Sequence, residues 1–176
     1  VNDARAVSEG VATFVPDLVI HTAAMTNVDE CESVLGRDLA RQVNAAGAEN
    51  VARACSNVGA TMVYISTNYV FDGKKIEPYN EDDTTNPLNV YGATKLQGET
   101  AVVNLLEEHY VVRTSTLYGA NTSNFVTSFL GAASKSQLLN YVNDQRVVPT
   151  STADLAIAIM DLIEAGTFGI YHLVNE

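Results

Sequence analysis

Thr61-Met62-Val63-Tyr64-Ile65-Ser66 is a short, mostly apolar run that predicts a buried strand. A similar run, Asp17-Leu18-Val19-Ile20-His21, ends in the small residues Thr22-Ala23-Ala24, which indicate a turn. Between the two runs, apolar residues recur at helical spacing from 44 to about 57, and Gly59 ends that pattern. Strand, helix and strand in this order predict an α/β fold with a parallel sheet.

The same alternation continues towards the C-terminus. Residues 68–89 contain two prolines, a glycine and an acidic patch, and they predict a long loop over the carboxyl edge of the sheet. The elements expected beyond this loop are a helix from Tyr91 to about Glu108, a strand at 110–114, a helix from about Asn124 to Ser136, a strand at 138–142, a helix from a capping box at 151–154 to about Ala165, and a strand at 169–174.

Composition narrows the class of protein. A chain of 176 residues with 47% hydrophobic content can bury the core of one domain. The net charge of −11 argues against binding to nucleic acid, which usually needs a basic patch. No apolar run is long enough to span a membrane and no N-terminal stretch resembles a signal peptide, so we expect a cytoplasmic protein. We expect the thiols of Cys31 and Cys55 to be buried or without a chemical role.

Tyr91 and Lys95 form the candidate catalytic pair. Residues four positions apart on a helix project from one face. A phenol has an ordinary pKa near 10, and a neighbouring ammonium favours the phenolate, so we expect Lys95 to lower the pKa of Tyr91. Such a tyrosine can serve as a general acid or base.

The predicted strand ends bring further groups to this pair. In an open parallel sheet, ligands bind outside the carboxyl ends of the strands. The first strand delivers Ala23 and Ala24, which let a cofactor approach the backbone, and the second delivers Ser66 and Thr67. A hydroxyl, a phenol and an ammonium are therefore expected around one carbonyl group.

These residues resemble the extended short-chain dehydrogenase/reductase family, whose catalytic set is Ser or Thr followed by Tyr-x-x-x-Lys. Within that family the chain is similar to the dTDP-4-dehydrorhamnose reductases. The motifs that carry the resemblance run in the same order along nearly the whole chain, and they are 21–29, 65–73, 90–99, Val112-Arg113-Thr114-Ser115, Leu117-Tyr118-Gly119, Asn124-Phe125-Val126, Asp144-Gln145 and Pro149-Thr150.

The resemblance implies a Rossmann-like, doubly wound parallel sheet and the reduction of a dTDP-4-keto-6-deoxysugar at C4 by NADPH or NADH. Tyr91 would donate a proton to the C4 oxygen, Thr67 would hold that oxygen, and Lys95 would bind the nicotinamide ribose. The residues implied to line the cofactor, besides Tyr91 and Lys95, are Ala23, Ala24, Met25, Ile65 and Ser66. The resemblance leaves open whether the protein forms a homodimer. It also leaves open the binding of Mg²⁺, which the sequence does not indicate. The acidic residues Asp29, Glu30 and Glu32 are more typical of a solvated acidic surface than of a cation site.

The chain departs from the family at its N-terminal side. A dinucleotide-binding fold normally begins with a strand, a Gly-x-x-Gly-x-x-Gly turn and a helix, which seat the pyrophosphate. No such turn precedes the strand at 17–21. We therefore interpret residues 1–176 as a single partial NAD(P)-binding domain, incomplete at the N-terminus, in which residues 120–150 contribute to the substrate region. We expect the isolated chain to be weak or inactive and its full-length parent to be the reductase.

Two departures fall on residues implied to bind substrate. Asn68 stands where the family usually has Asp, and an amide both donates and accepts hydrogen bonds whereas a carboxylate only accepts. Thr116 stands where many members carry Trp, so an aromatic stacking surface is lost. Both changes leave the identity of the sugar open.

Two other functions stay open. Similar folds serve as non-catalytic regulatory subunits, such as the β subunit of methionine adenosyltransferase, because fold does not settle activity. Another nucleotide-sugar epimerase or dehydratase is the enzymatic alternative, and it would return the hydride to the sugar. We expect the three histidines, His21, His109 and His172, to be structural or exposed. We expect no metal site.

Overall fold

The computed structural model describes residues 1–120, 124–135, 138–140 and 143–176. Its helices are α1 Ala4–Phe14, α2 Val28–Cys31, α3 Val34–Ala40, α4 Gly47–Val58, α5 Val90–Leu105, α6 Phe125–Ala133 and α7 Thr152–Ala165, with a π-helical turn at Arg41–Ala46 and a 3-10 turn at Asn68–Val70. Its strands are β1 Leu18–His21, β2 Thr61–Thr67, β3 His109–Thr114, β4 Leu117–Tyr118, β5 Thr150–Ser151 and β6 Gly169–His172.

The contacts of the chain divide it into two compact units. Unit 1 comprises Val1–Arg113 and Phe168–His172, and unit 2 comprises Thr114–Thr167 and Leu173–Glu176. Unit 1 contains a four-stranded sheet in the order β1-β2-β3-β6, with parallel pairing of β1 with β2 and of β3 with β6. Unit 2 contains the parallel pair β4 and β5 together with α6 and α7. The predicted α/β class is confirmed, whereas the assignment of 1–176 to a single partial domain stays a prediction.

The core of unit 1 lies between the sheet and helices α4 and α5. It is built from small residues of α4, the middle of β2 and β3, and the end of α5; its fully buried members include Ala48, Ala52, Cys55, Met62, Tyr64, Val102 and Val111. Both cysteines are buried free thiols, as the sequence predicts. Each Å² of apolar surface that is buried stabilises the fold by about 25 cal/mol, so we expect this layer to make the main stabilising contribution in unit 1.

The predicted strands at 17–21, 61–66 and 110–114 correspond to β1, β2 and β3. The helix expected to reach Glu108 ends at Leu105, because Leu106 adopts an extended conformation. The strand expected at 138–142 is wrong in its described part: residues 138–140 form no strand, and Leu138 is 78% exposed, while 141–142 fall outside the described residues. Residues 121–123 and 136–137 also fall outside them.

Helix α5 approaches the sheet closely because it has glycine at two contact positions. A Cβ at Gly98 would overlap the Tyr64 hydroxyl and would lie 2.5 Å from the carbonyl oxygen of Asn44. A Cβ at Gly92 would overlap the carbonyl oxygen of Tyr69. Side chains at either position would push the helix away from β2 and from the turn that follows it. Among the helices of the described residues, none is long and apolar enough to cross a membrane.

We predict that Gly98→Ala destabilises the chain by about 3 kcal/mol, because the added methyl meets a backbone carbonyl that cannot move freely. Gly10→Ala in α1 is the matched control, since a Cβ there meets nothing within 4 Å. That control should gain about 0.5 kcal/mol from the helix preference of alanine over glycine. Urea denaturation measures both, and equal effects of the two substitutions would contradict the close packing at Gly98.

Candidate active site

The candidate site lies at the carboxyl ends of β1 and β2 in unit 1. Strand β1 ends at His21, and Ala23, Ala24 and Met25 follow it with their side chains exposed or half-buried. Strand β2 ends at Thr67, and Asn89 caps the start of α5 by accepting a hydrogen bond from the Gly92 amide at 2.7 Å. This cap sets the first turn of α5, which carries Tyr91.

Thr67 and Tyr91 are joined by a side-chain hydrogen bond. Thr67 is buried, and its hydroxyl also accepts the Tyr69 amide at 3.2 Å, which fixes the 3-10 turn beyond β2. The ring of Tyr69 packs edge-on against Tyr91 with centroids 5.6 Å apart. The structure therefore brings together the hydroxyl and the phenol that the sequence predicts as partners.

The predicted effect of Lys95 on Tyr91 is wrong in this structure. Burial raises the pKa of Tyr91, the side-chain hydrogen bond between Tyr91 and Thr67 opposes that rise, and Lys95 is not among the groups that shift it. The reason is geometric: the Lys95 amine points down to β2, where Nζ donates to the carbonyl oxygen of Ile65 at 2.7 Å. Tyr91 is consequently protonated at neutral pH.

Lys95 is a buried amine. Burial lowers the pKa of Lys95 to about 7, and the negative charge of Glu99 opposes the decrease. Only 2% of the residue is exposed, and Nζ lies 4.0 Å from the centroid of the Tyr64 ring. A lysine with a pKa near neutrality can change its protonation state within the physiological range, which suits a group that takes part in proton transfer.

Asn44 is a residue that the sequence prediction missed. Its side chain accepts the Met25 amide at 2.8 Å and donates to the Met25 carbonyl at 3.1 Å, so it clamps the segment after β1. The same amide donates to the Thr94 hydroxyl at 3.2 Å, on the turn of α5 between Tyr91 and Lys95. Asn44 lies within the π-helical turn, and such turns often occur at functional sites. The sequence predicted only that a helix begins at Asn44.

Ser66 has a structural partner. Its hydroxyl donates to Glu99, and Glu99 forms a bidentate ion pair with Arg113, with Nη2 to Oε2 at 2.8 Å and Nε to Oε1 at 3.1 Å. The Ser66 side chain is therefore engaged with α5, and this arrangement does not support its predicted contact with cofactor. A charge at Arg113, inside an otherwise apolar strand, was the signal in the sequence for a buried ion pair.

Of the three residues predicted to bind substrate, Thr67 and Asn68 lie in unit 1 and Thr116 lies in unit 2. Asn68 is half-buried, and its Oδ1 accepts the Thr67 hydroxyl at 3.4 Å. Thr116, in unit 2, has a φ of 41°. That conformation is rare for a β-branched residue and costs of the order of 1–3 kcal/mol, and strain of this kind concentrates at functional positions. Their contacts with substrate stay predictions.

The residues at the strand ends fit a nucleotide cofactor in two respects. Ala23 and Ala24 present short side chains beside backbone that is exposed or half-buried, which permits close approach of a ligand. Among the hydrogen bonds of the described residues, Lys95 uses one N–H donor on Ile65. The remaining donors, two in the charged amine and one in the neutral amine, suit the hydroxyls of a ribose. No group of three potential metal ligands occurs in the described part of the chain.

We predict that Glu99→Gln destabilises unit 1 by about 3 kcal/mol, because it leaves the buried Arg113 charge without a carboxylate. The side chains of this pair are only 5% and 3% exposed. Glu49→Gln is the matched control, since Glu49 pairs with Arg53 on the surface and should change stability by less than about 1 kcal/mol. Denaturant unfolding compares them, and a small effect at Glu99 would contradict its role.

We also predict that stability rises between pH 7 and 9 because of Lys95. Unfolded Lys95 has a pKa near 10.5 and folded Lys95 one of about 7, so in this range the unfolded chain binds a proton that the folded chain has released. The rise should amount to roughly 2 kcal/mol. Above pH 9 the Cys55 thiol, whose pKa burial raises to about 11, works in the opposite direction.

Lys95→Met should flatten this rise, whereas Lys135→Met at an exposed position should keep it. The measurement is the free energy of unfolding in urea at several pH values. An unchanged slope in Lys95→Met would show that Lys95 titrates normally.

Comparison with known proteins gives this geometry a context. The family model described as the RmlD substrate binding domain matches residues 1–176. The chain is 43% identical to the dTDP-4-dehydrorhamnose reductase of Streptomyces griseus over 181 residues, covering 99% of the chain and 59% of that protein. It is 41% identical to the spore coat polysaccharide biosynthesis protein SpsK of Bacillus subtilis, covering 99% and 60%.

Solved structures agree with the sequence comparison. The crystal structure of dTDP-4-dehydrorhamnose reductase from Bacillus anthracis in complex with NADP superposes with a TM-score of 0.93 at 42% identity, covering 99% of this chain and 62% of that one. The predicted Rossmann-like class is thereby confirmed. The chain spans about three-fifths of the length of the curated relatives it matches. It belongs to the RmlD substrate-binding-domain family.

Proposed function

We propose that this chain supplies the proton-donating part of a reductase that converts the C4 keto group of a dTDP-4-keto-6-deoxysugar to a hydroxyl with NADPH. The observation that carries the proposal is the hydrogen-bonded pair of Thr67 and Tyr91 beside the ends of β1 and β2, with Lys95 one turn further along α5. The names of its relatives, dTDP-4-dehydrorhamnose reductases, give the substrate class.

Each residue has a role that suits its state in the structure. Tyr91 is the proton donor, because burial keeps its phenol protonated at neutral pH. Thr67 holds the Tyr91 hydroxyl and with it the C4 oxygen of the sugar. Lys95 donates to the ribose of the cofactor, and the segment Ala23–Met25, clamped by Asn44, lines it.

When bound, NADPH would supply a hydride from its nicotinamide ring to form the new C–H bond at C4, and it would leave as NADP⁺. As the carbonyl π electrons move to the oxygen, the O–H bond of Tyr91 breaks and its proton goes to that oxygen. An alkoxide is a stronger base than a phenolate, so this transfer is favourable even though burial raises the pKa of Tyr91. Solvent then returns a proton to Tyr91.

The test is a chimera in which this chain replaces the matching part of the Streptomyces griseus reductase. We expect it to oxidise NADPH in proportion to the dTDP-4-keto-6-deoxysugar consumed. Tyr91→Phe should lower kcat by about 10² to 10⁴, because it removes the proton donor and keeps the ring. Tyr110→Phe, which alters a buried tyrosine of β3, should leave kcat close to its original value.

Other outcomes favour the alternatives. A changed sugar without net oxidation of NADPH would overturn the reductase in favour of an epimerase or a dehydratase. No turnover, together with nucleotide-sugar or partner binding, would overturn it in favour of a regulatory subunit. Equal activity in Tyr91→Phe and the unsubstituted chimera would exclude Tyr91 as the proton donor.

A further inference from the structure

Tyr64 is a buried tyrosine that the proposed reaction does not use. It lies in the middle of β2, pairs in register with His21 of β1, and is fully shielded from solvent. Burial raises the pKa of its phenol well above the ordinary value, so the group is a neutral hydrogen-bond donor. A hydroxyl in the core of a sheet must find a polar partner, because an unpaired one costs about 1–3 kcal/mol.

Both ends of the Tyr64 side chain contact Lys95. The face of the ring lies 4.0 Å from Nζ, within the range of a cation–π interaction. The hydroxyl donates towards the Lys95 carbonyl oxygen at 3.2 Å and the Asn44 carbonyl oxygen at 3.3 Å. One aromatic residue thus contacts the charged end of the lysine and the backbone from which that side chain leaves the helix.

The helix accommodates this contact. Gly98 offers no Cβ at the place where the Tyr64 hydroxyl meets α5, and any side chain there would collide with it. The Lys95 amine has one further support, the Ile65 carbonyl at 2.7 Å. The Tyr64 ring and the Ile65 carbonyl hold the lysine side chain, while the Tyr64 hydroxyl holds the backbone of the same residue.

The charged and titratable neighbours of Lys95 come from three elements. Glu99 acts on it from the next turn of α5, Tyr64 faces it from β2, and His21 from β1. Burial and the charge of Lys95 lower the pKa of His21 to about 4, so this imidazole is neutral at pH 7. The His21 ring stacks on Tyr64 with centroids 5.8 Å apart and adds no competing charge.

We propose that Tyr64 is a positioning residue for Lys95: its ring supports the ammonium, and its hydroxyl fixes the helix backbone at the same residue. The proposal rests on the proposed function only for the task that Lys95 performs. The interaction itself belongs to the folded chain without substrate or cofactor. Removing the ring should therefore lower the pKa of Lys95, whereas removing only the hydroxyl should leave it nearly unchanged.

The experiment measures the pKa of Lys95 by NMR in the 176-residue chain labelled with ¹³C at lysine Cε. The chain has four lysines, and the signal missing from Lys95→Met identifies the one of interest. We expect Tyr64→Phe to shift the pKa by less than about half a unit and Tyr64→Leu to lower it by about one unit. Tyr110→Leu is the control, because it removes a buried tyrosine that packs against Phe168 and Tyr171 instead of Lys95.

A second series keeps the proposal testable if Tyr64→Leu does not fold. Phenylalanines with one, two and three ring fluorines at position 64 keep the shape of the ring and weaken its attraction for a cation. The pKa of Lys95 should fall stepwise along the series. A pKa that is constant across it, or that falls equally in Tyr110→Leu, would overturn the proposal. Because this readout needs no turnover, an inactive chimera would count against the proposed function alone.

Discussion

The candidate site depends on how closely α5 can approach the sheet. Two glycines, Gly92 and Gly98, stand where the helix meets the Tyr69 carbonyl and the Tyr64 hydroxyl. Gly92 directly follows Tyr91 and Gly98 lies three residues after Lys95, so the contacts that seat the helix also set the depth of these two candidate side chains. Glycine costs a helix interior about 0.5–1 kcal/mol each time relative to alanine, and tertiary packing offsets that loss here.

The pKa values of Tyr91 and Lys95 depend on the same close approach of α5 to the sheet. Burial raises the pKa of Tyr91 and lowers the pKa of Lys95, so both groups favour their neutral forms. Glu99 opposes the change at Lys95 while it also neutralises Arg113, and the serine at the end of β2 completes this buried group. The buried charges of Glu99 and Arg113 therefore link α5 to β2 and β3 and also act on Lys95 in the candidate site.

Sequence reasoning predicted the elements around the candidate site that depend on local pattern. Strands β1, β2 and β3 follow from apolar runs, and Thr67, Tyr91 and Lys95 follow from their positions at strand ends and on one helix. It failed where a distant partner decides the outcome. The spacing of Tyr91 and Lys95 predicts that they interact, but the Ile65 carbonyl draws the lysine away. The run at 138–142 has strand composition, yet its described residues 138–140 form no strand and Leu138 is 78% exposed, whereas strand preference reflects burial on a sheet.

Asn44 has a consequence for how a ligand would be received. One amide group holds the segment after β1 through Met25 and the start of α5 through Thr94. Fixing the backbone of a residue costs roughly 1–2 kcal/mol of conformational entropy. Because Asn44 orders the segment after β1 when the chain folds, that entropy is lost during folding and not when a ligand binds. A nucleotide bound beside Met25, as we propose, would meet a loop that is already ordered, and more of its contact energy would remain as affinity.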